Sequence, residues 1–150
     1  MKRLLSLLLT ATTIILAGCD TSGEDTLFTN LPDEGWAYTD ALSFSPRPGK
    51  GALNIAVRHD ASYPYSNLWL EVAVVSADKN ISTDTVNLPL CDPYGRWLGK
   101  GFGGSYQIEA EVTPSVTIDT LTTLRVRHIM RCDTIRGIDQ VGISHRLTGV

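Results

Sequence analysis

Alternation of apolar and polar residues runs through most of this chain and constrains its fold more than any other feature. Leu53, Ile55 and Val57 alternate with polar or small residues, and residues 106–112 repeat the same period of two. This period sends successive side chains to opposite faces of a strand, whereas a helix needs a period near 3.6. Only residues 130–140 leave room for a helical turn. The chain is therefore predicted to be all-β.

Clusters of Gly, Pro, Asn and Asp separate the alternating runs, and these residues favour turns. We predict about seven to eight strands, near residues 36–44, 53–57, 68–75, 86–90, 106–112, 124–130 and 141–145. Short strands with frequent turns are typical of a single antiparallel β-sandwich, either immunoglobulin-like or jelly-roll-like. A small closed barrel is the alternative architecture.

The first eighteen residues have the pattern of a secretion signal. A basic start at residues 1–3 precedes an apolar run at residues 4–16, which falls short of the roughly 20 residues that a membrane-spanning helix needs. Residues 16–19, Leu-Ala-Gly-Cys, resemble the bacterial lipoprotein signal, in which the Cys thiol is alkylated by a diacylglyceryl group and cleavage follows just before it. The domains are therefore predicted as a signal peptide at residues 1–18, a lipidated Cys19 with a flexible tether at 19–33, and a sandwich at 34–150.

Lipidation at Cys19 predicts membrane lipid as one partner, because two or more acyl chains anchor a protein stably. The domain is then expected in the cell envelope, in the periplasm or on the cell surface, with the choice of membrane left open. Lys2 and Arg3 belong to the leader, so eleven cations face sixteen acids in the remainder, for a formal charge of −5. Nucleic-acid binding needs a basic surface, so nucleic acid is not an expected partner.

Two cysteines remain besides Cys19, and an oxidising compartment favours their pairing. A disulfide between Cys91 and Cys132 is one prediction, and two separate thiols are the alternative. The three histidines lack the spacing of metal ligands and are interpreted as surface or structural residues. Gly99-Lys100-Gly101 lacks the spacing of a phosphate loop. No catalytic residue, metal or cofactor is predicted, and the protein is not expected to be an enzyme.

The stretch 92–104 holds five glycines among three aromatic residues and two cations. Glycine permits positive φ and close approach, and Trp and Tyr are common anchors of binding surfaces. We predict that Trp97 folds back over one end of the sandwich. Aromatic and basic residues of this stretch and of a neighbouring loop are the candidate partner-binding set, which could dock a protein or stack on sugar rings: Tyr63, Tyr65, Trp69, Tyr94, Arg96, Trp97 and Lys100. Capping of the core is the plainer role for any single aromatic residue.

Three segments together resemble the GldH family of gliding-motility lipoproteins. They are residues 63–70 (Tyr-Pro-Tyr-Ser-Asn-Leu-Trp-Leu), Leu90 with Asp92 and 95–101 (Gly-Arg-Trp-Leu-Gly-Lys-Gly), and 130–143 with Met130-Arg131, Ile135-Arg136-Gly137-Ile138 and Val141-Gly142-Ile143. The resemblance implies a non-catalytic envelope protein that interacts with gliding motility or type IX secretion machinery. Cys91 and Cys132 are not part of that family pattern. A carbohydrate- or glycan-binding module on the same scaffold is the alternative function, and a hydrolase fits poorly.

The resemblance also implies a bacterial group that O-glycosylates short Asp-Thr-aliphatic motifs. Four such motifs occur, with threonines at positions 26, 85, 120 and 134. Thr26, expected in the tether, and Thr120, expected in a turn, are the candidate glycosylation sites.

Overall fold

The computed structural model describes residues 24–149, and in that range the protein forms eleven β-strands and no helix. In chain order the strands are β1 (Glu24–Asn30), β2 (Trp36–Ala37), β3 (Leu42–Phe44), β4 (Gly49–Asp60), β5 (Asn67–Ser76), β6 (Lys79–Pro89), β7 (Lys100–Phe102), β8 (Ser105–Ile118), β9 (Thr122–His128), β10 (Thr134–Ile135) and β11 (Ile138–Leu147).

Two open antiparallel sheets carry the fold. The five-stranded sheet has the order β1-β11-β4-β8-β7, and the four-stranded sheet has the order β3-β9-β5-β6. A two-stranded ribbon of β10 and β2 lies beside them. Each large sheet ends in two different edge strands and does not close on itself. The all-β sandwich prediction is confirmed, although short strands raise the count above the expected seven to eight.

The core forms where the apolar faces of the two large sheets meet. Alternate residues of β4 (Leu53, Ile55, Val57) and of β5 (Leu68, Leu70, Val72, Val74) are buried, as their period of two predicts. They belong to one cluster that also takes in β9, β11 and the ring of Trp36. Burial of these side chains is the main stabilising contribution, at about 25 cal/mol per Å² of apolar surface.

Strand register gives the sandwich two distinct ends. The tether end contains the start of β1 and β4, the turns 77–78 and 119–121, and residues 148–149; the Ser76 hydroxyl bonds Asp119 across it. The loop end contains the longer connections 31–35, 61–66, 90–99 and 129–133. All of the predicted partner-binding residues lie at or near the loop end.

Strand β1 differs most from expectation, because residues 24–30 were predicted to belong to the tether. It pairs with β11 over its full length, from Glu24 opposite Arg146 to Asn30 opposite Gln140. The ring of Phe28 lies over Gly142, at a distance that leaves no room for a Cβ there. Pairing with a buried strand outweighs the polar composition of the segment.

Two other segments contain shorter elements than a continuous strand. The run 36–44 is split into β2 and β3 by a turn in which the Asp40 amide bonds the Ala37 carbonyl and the Trp36 indole donates to the Asp40 carbonyl at 2.7 Å. Residues 130–140, the one segment whose pattern left room for a helical turn, hold β10 and turns.

Candidate functional site at the loop end

A largely apolar groove of about 600 Å³ opens on the outer face of the four-stranded sheet, next to the loop end. Trp69 and Tyr65 form one part of it, and both rings remain about 40 % exposed. The other lining residues are Thr85 and the segment 129–132, Ile-Met-Arg-Cys. Exposed aromatic rings beside a flexible Met side chain are typical of surfaces that bind partners.

Backbone contacts hold the two walls of this groove together. Trp69 lies on β5 opposite Asn87 of β6, with its side chain on the outer face because its neighbours Leu68 and Leu70 point into the core. The Ile129 amide donates to the Trp69 carbonyl at 2.9 Å, and the Trp69 amide donates to the Met130 sulfur at 3.3 Å. The chain therefore turns out of β9 directly over Trp69.

Tyr63 was predicted to bind a partner, and this prediction is wrong because the residue is buried in the core. Its hydroxyl donates to the Asn67 carbonyl at 2.9 Å, and burial raises its pKa. The Tyr65 ring packs edge-on against it at 5.6 Å. Hydrogen bonding with Cys132 raises the pKa of Tyr65. Tyr63 therefore supports the exposed ring of Tyr65 from beneath.

The glycine-rich stretch begins with a tight turn organised by Asp92. One carboxylate oxygen accepts the amides of Tyr94 and Arg96, at 2.8 and 2.9 Å, and the other accepts the Arg96 guanidinium at 2.8 Å. These bonds hold the Asp92 pKa below its usual range, with the Arg96 amide as the largest cause. Tyr94 projects from the tip and is 84 % exposed. The turn therefore presents one aromatic ring beside one cation.

Trp97 folds back onto the sandwich, in agreement with the geometry that we expected for it. Its ring meets the ring of buried His59 edge-on at 4.8 Å and lies 6.0 Å from Tyr106. Trp97 pairs with Cys91 in an isolated antiparallel bridge, so the stretch doubles back as a small hairpin. The indole remains half-buried, and these contacts take up much of its surface.

Strand β7 follows Trp97 and carries the last candidate cation. Lys100 is exposed and lies opposite Gln107 of β8. Within the candidate set, Tyr65 and Trp69 thus share the groove, Tyr94 and Arg96 share the Asp92 turn, and Lys100 lies on a separate strand.

A second, polar depression of about 660 Å³ lies at the same end, against the five-stranded sheet. At its base the Arg58 guanidinium donates to the side chains of Gln107 and Gln140, at 2.7 and 2.5 Å. Burial raises the pKa of Asp139, and repulsion from Asp60 adds to the shift. Gln140 in turn donates to the Asn30 side chain, so Arg58, Gln140 and Asn30 form a structural polar network in this depression.

All three histidines are buried, which excludes the surface interpretation and agrees with the structural one, although some of their ring nitrogens are not hydrogen-bonded among the described residues. His128 lies edge-on between Trp36, at 5.3 Å, and Tyr38, at 5.7 Å, and neither of its ring nitrogens makes a hydrogen bond within residues 24–149. Burial lowers its pKa, and the nearby backbone of Trp36 opposes part of that shift. His59 and His145 each bond a carbonyl through Nδ1 and leave Nε2 without a partner.

Cys91 and Cys132 are both free thiols in the structure, in contrast to the predicted disulfide. Different partners hold the two residues. The Cys91 amide donates to the Ser66 carbonyl at 3.1 Å and the residue pairs with Trp97, whereas Cys132 lines the groove beside Tyr65. The structure matches the alternative of two separate thiols.

The predicted modification sites have different settings. Thr26 is exposed on β1, outside the tether in which it was expected, and Thr120 is exposed in the turn 119–121. Both remain predicted glycosylation sites. Cys19 lies outside the described residues.

Within residues 24–149, no three His, Cys, Asp or Glu side chains come together in a way that could hold a metal ion. The same range contains no helix capable of crossing a bilayer.

Sequence reasoning missed the far wall of the groove. Residues 129 and 130 continue the alternation of β9 and were expected to remain in the sheet. The strand instead ends at His128, and both residues reach the groove. Asp133, a residue type that favours turns, was the available signal that the strand ends near this point.

The fold and the loop end define the class of this protein: an all-β sandwich with an aromatic surface groove. The chain belongs to the GldH lipoprotein family, whose model matches residues 26–144. A 51-residue segment is 37 % identical to the gliding motility lipoprotein GldH homolog of Christiangramia forsetii and covers 34 % of this chain and 32 % of that relative. The match thus spans about a third of that curated relative.

Membership confirms the predicted family and makes this a lipoprotein, anchored to a membrane of the cell envelope. Among solved structures, dimeric latent PorU from Porphyromonas gingivalis matches 81 % of this chain and 12 % of that chain, with 11 % identity and a TM-score of 0.33. A likeness of that size carries no functional conclusion.

Proposed function

We propose that this lipoprotein is a non-catalytic adaptor that docks onto a protein of the gliding motility or type IX secretion machinery through the groove between Trp69 and Met130. The observation that carries the proposal is the pair of exposed rings, Tyr65 and Trp69, in an otherwise apolar groove. Family membership supports the setting of the groove in the envelope.

The groove suits a protein partner because its anchors are held in place before binding. The backbone of Trp69 is paired on both sides, with Asn87 of β6 and with Ile129, and Tyr65 packs edge-on against the buried ring of Tyr63. Little conformational entropy remains to be lost on binding, which favours affinity. Arg131 at the rim supplies a cation that a carboxylate of the partner can meet.

Copurification from detergent-solubilised membranes tests the docking. A tagged chain is expected to retain an envelope protein, and Trp69→Ala is expected to weaken that association at least about tenfold, because central aromatic anchors commonly contribute 2 kcal/mol or more. Thr83→Ala is the matched control, since Thr83 is exposed on the adjacent β6 but lies nearer the tether end. Equal recovery from both variants would exclude the groove as the contact.

The anchor is a separate part of the proposal. We place the lipid on Cys19, at the position that matches the lipoprotein signal. Cys19→Ala is expected to move the protein from the membrane pellet to the soluble fraction, whereas Trp69→Ala leaves it in the pellet. Persistent pelleting of Cys19→Ala after a carbonate wash would contradict lipid attachment at this residue.

A glycan-binding module is the second candidate, and the surroundings of Trp69 favour it. The exposed indole offers a face on which a sugar ring can stack, and the Asn67 and Asn87 amides, bonded to each other at 2.8 Å, lie beside it. Trp97 serves this function poorly, because His59 and Tyr106 occupy much of its surface. Glycan-array binding that Trp69→Ala abolishes and Trp97→Ala preserves would favour this second function over protein docking.

A further inference from the structure

We propose that the tether end of the sandwich rests on the surface of the anchoring membrane, with Leu121 and Ile81 in contact with the lipid interface. The proposal relies on lipidation at Cys19 and adds a defined orientation to it. The observations are the path of the chain, the placement of exposed aliphatic side chains, and the charges around them.

The path of the chain brings the tether end close to the lipid. Strand β1 starts at Glu24, opposite Arg146, one residue before the end of β11 at Leu147. Only residues 20–23 separate Glu24 from Cys19, so the covalent chain allows a separation of at most about 18 Å. Strand β4 has 12 residues and is about 36 Å long, so a molecule that stands on its tether end holds its loop end about that far from the lipid.

Exposed apolar side chains are divided between the two ends. In the described part of the chain, six large hydrophobic residues are exposed. The two aliphatic ones, Leu121 at 67 % and Ile81 at 65 %, lie at the tether end. Leu121 occupies the turn between β8 and β9, and Ile81 lies two residues after the β6 start that pairs with Ser76. The four aromatic ones, Tyr38, Tyr65, Trp69 and Tyr94, lie toward the loop end.

Hydrogen bonds hold Leu121 in its exposed position. The Asp119 carboxylate accepts the Leu121 amide at 2.8 Å and the Thr122 hydroxyl at 2.7 Å, which also hold the Asp119 pKa below its usual range. The turn therefore directs the aliphatic side chain outward without a contact in the core. Such a residue gains by entering the apolar boundary of a bilayer.

Two exposed lysines lie at the same end as the two aliphatic side chains. Lys79 precedes Ile81 by two residues, and Lys50 pairs with Thr117 in the strand that leads into the turn of Leu121. The exposed acids of the same turns are Asp78 and Asp119, and Asp119 is engaged within its own turn. Cations beside inserted apolar residues favour an anionic lipid surface.

Depth-dependent fluorescence quenching tests this orientation on the full lipidated chain. Cys91→Ser and Cys132→Ser remove the free thiols, and a fluorophore is attached at Leu121→Cys, Ile81→Cys or, as the control, Tyr94→Cys. The protein is reconstituted into phosphatidylcholine–phosphatidylglycerol vesicles that carry a quencher at headgroup depth. Labels at positions 121 and 81 are expected to be quenched several-fold more than the label at 94.

The outcomes separate orientation from anchoring. Equal, weak quenching at all three positions, with the protein still floating on its vesicles, would overturn the proposal and leave the anchor intact. Failure of the protein to float would instead contradict lipidation at Cys19. A second measurement places the label at Thr120→Cys and compares the chain with and without Ile81→Glu. The substitution is expected to reduce the quenching of the label at position 120 markedly. Unchanged quenching at Thr120 in that variant would also overturn the proposal.

Discussion

His128 is the clearest example of a single residue whose surroundings change its protonation. His128 lies between Trp36 and Tyr38 and is fully buried. Burial disfavours the protonated ring and lowers its pKa from the ordinary 6.5, although the backbone of Trp36 opposes part of the shift. Folding therefore favours the neutral form of this residue.

The pH dependence of stability follows from that lowered pKa. Below pH 6.5, His128 takes up a proton more readily in the unfolded chain than in the folded protein. The contribution of neutral His128 to the free energy of unfolding is therefore fully present above pH 6.5, and it is lost as the pH falls toward the lower folded pKa. His128→Phe is expected to flatten this dependence. Urea unfolding at pH 7.5 and 5.5 measures it, with Lys100→Ala as an exposed control. An identical pH dependence in His128→Phe and the parent protein would contradict this role.

Asp92 gives the second prediction at this scale, because one carboxylate accepts three hydrogen bonds from the turn that carries Tyr94. Asp92→Ala removes these acceptors, and the amides of Tyr94 and Arg96 are expected to exchange with solvent at least about tenfold faster, as in other locally opened turns. Pro93→Ala is the control within the turn. Hydrogen exchange followed by mass spectrometry measures the effect, and unchanged protection in Asp92→Ala would show that other contacts hold the loop.

The two free thiols complete the predictions for single residues. Cys91 and Cys132 are expected to react with a thiol reagent in denaturant without prior reduction, because no disulfide joins them. The intact mass after alkylation is then the same with and without a reducing agent. A protein that takes up the reagent at these positions only after reduction would restore the disulfide predicted from composition.

At the scale of elements, sequence alone predicted the strands that have a buried face. Residues 53–57, 68–75 and 106–112 alternate because one side of each strand faces the core, and they became parts of β4, β5 and β8. Strand β1 shows little alternation of apolar and polar residues, since it is held in place by pairing with β11. The groove was half predicted: Tyr65 and Trp69 were identifiable by type, whereas residues 129–132 depended on where β9 ends.

The glycine-rich connection offers a matched test of close packing. Gly95 and Gly99 have nearly equal positive φ, 79° and 84°. A Cβ on Gly99 would lie 2.2 Å from the Gln107 carbonyl oxygen, whereas a Cβ on Gly95 would have no neighbour within 4 Å. Gly95→Ala is expected to cost about 1 kcal/mol through backbone strain alone, and Gly99→Ala about 2–4 kcal/mol, since it adds a steric clash.

Urea unfolding of the two variants measures this difference directly, with the parent protein as the reference. Equal losses of stability would indicate that β7 and β8 can separate at Gly99 without cost. The connection would then be loosely packed, and Trp97 would not be held against His59 as the structure has it.

At the scale of the whole molecule, the two ends differ in chemistry. The tether end bears exposed aliphatic residues and cations, and the loop end bears exposed aromatic residues and the groove. An adaptor that rests on a membrane by one end presents the other about 36 Å away, at roughly 3.3 Å per residue of β4. Thr120 adjoins Leu121, so a glycan on Thr120 would separate the tether end from the lipid, whereas one on Thr26 would project from an edge strand.

Site-specific photo-crosslinking in living cells tests docking through the groove most directly. A photoreactive phenylalanine analogue replaces Tyr65 in the groove, which keeps Trp69 in place, or Thr83 on β6 as the control, in the full lipidated chain. We expect the probe at position 65 to yield a discrete adduct with one envelope protein, identified by mass spectrometry, and the probe at position 83 to yield none. Adducts of equal yield at both positions, or a protein adduct at 83 alone, would contradict docking through the groove.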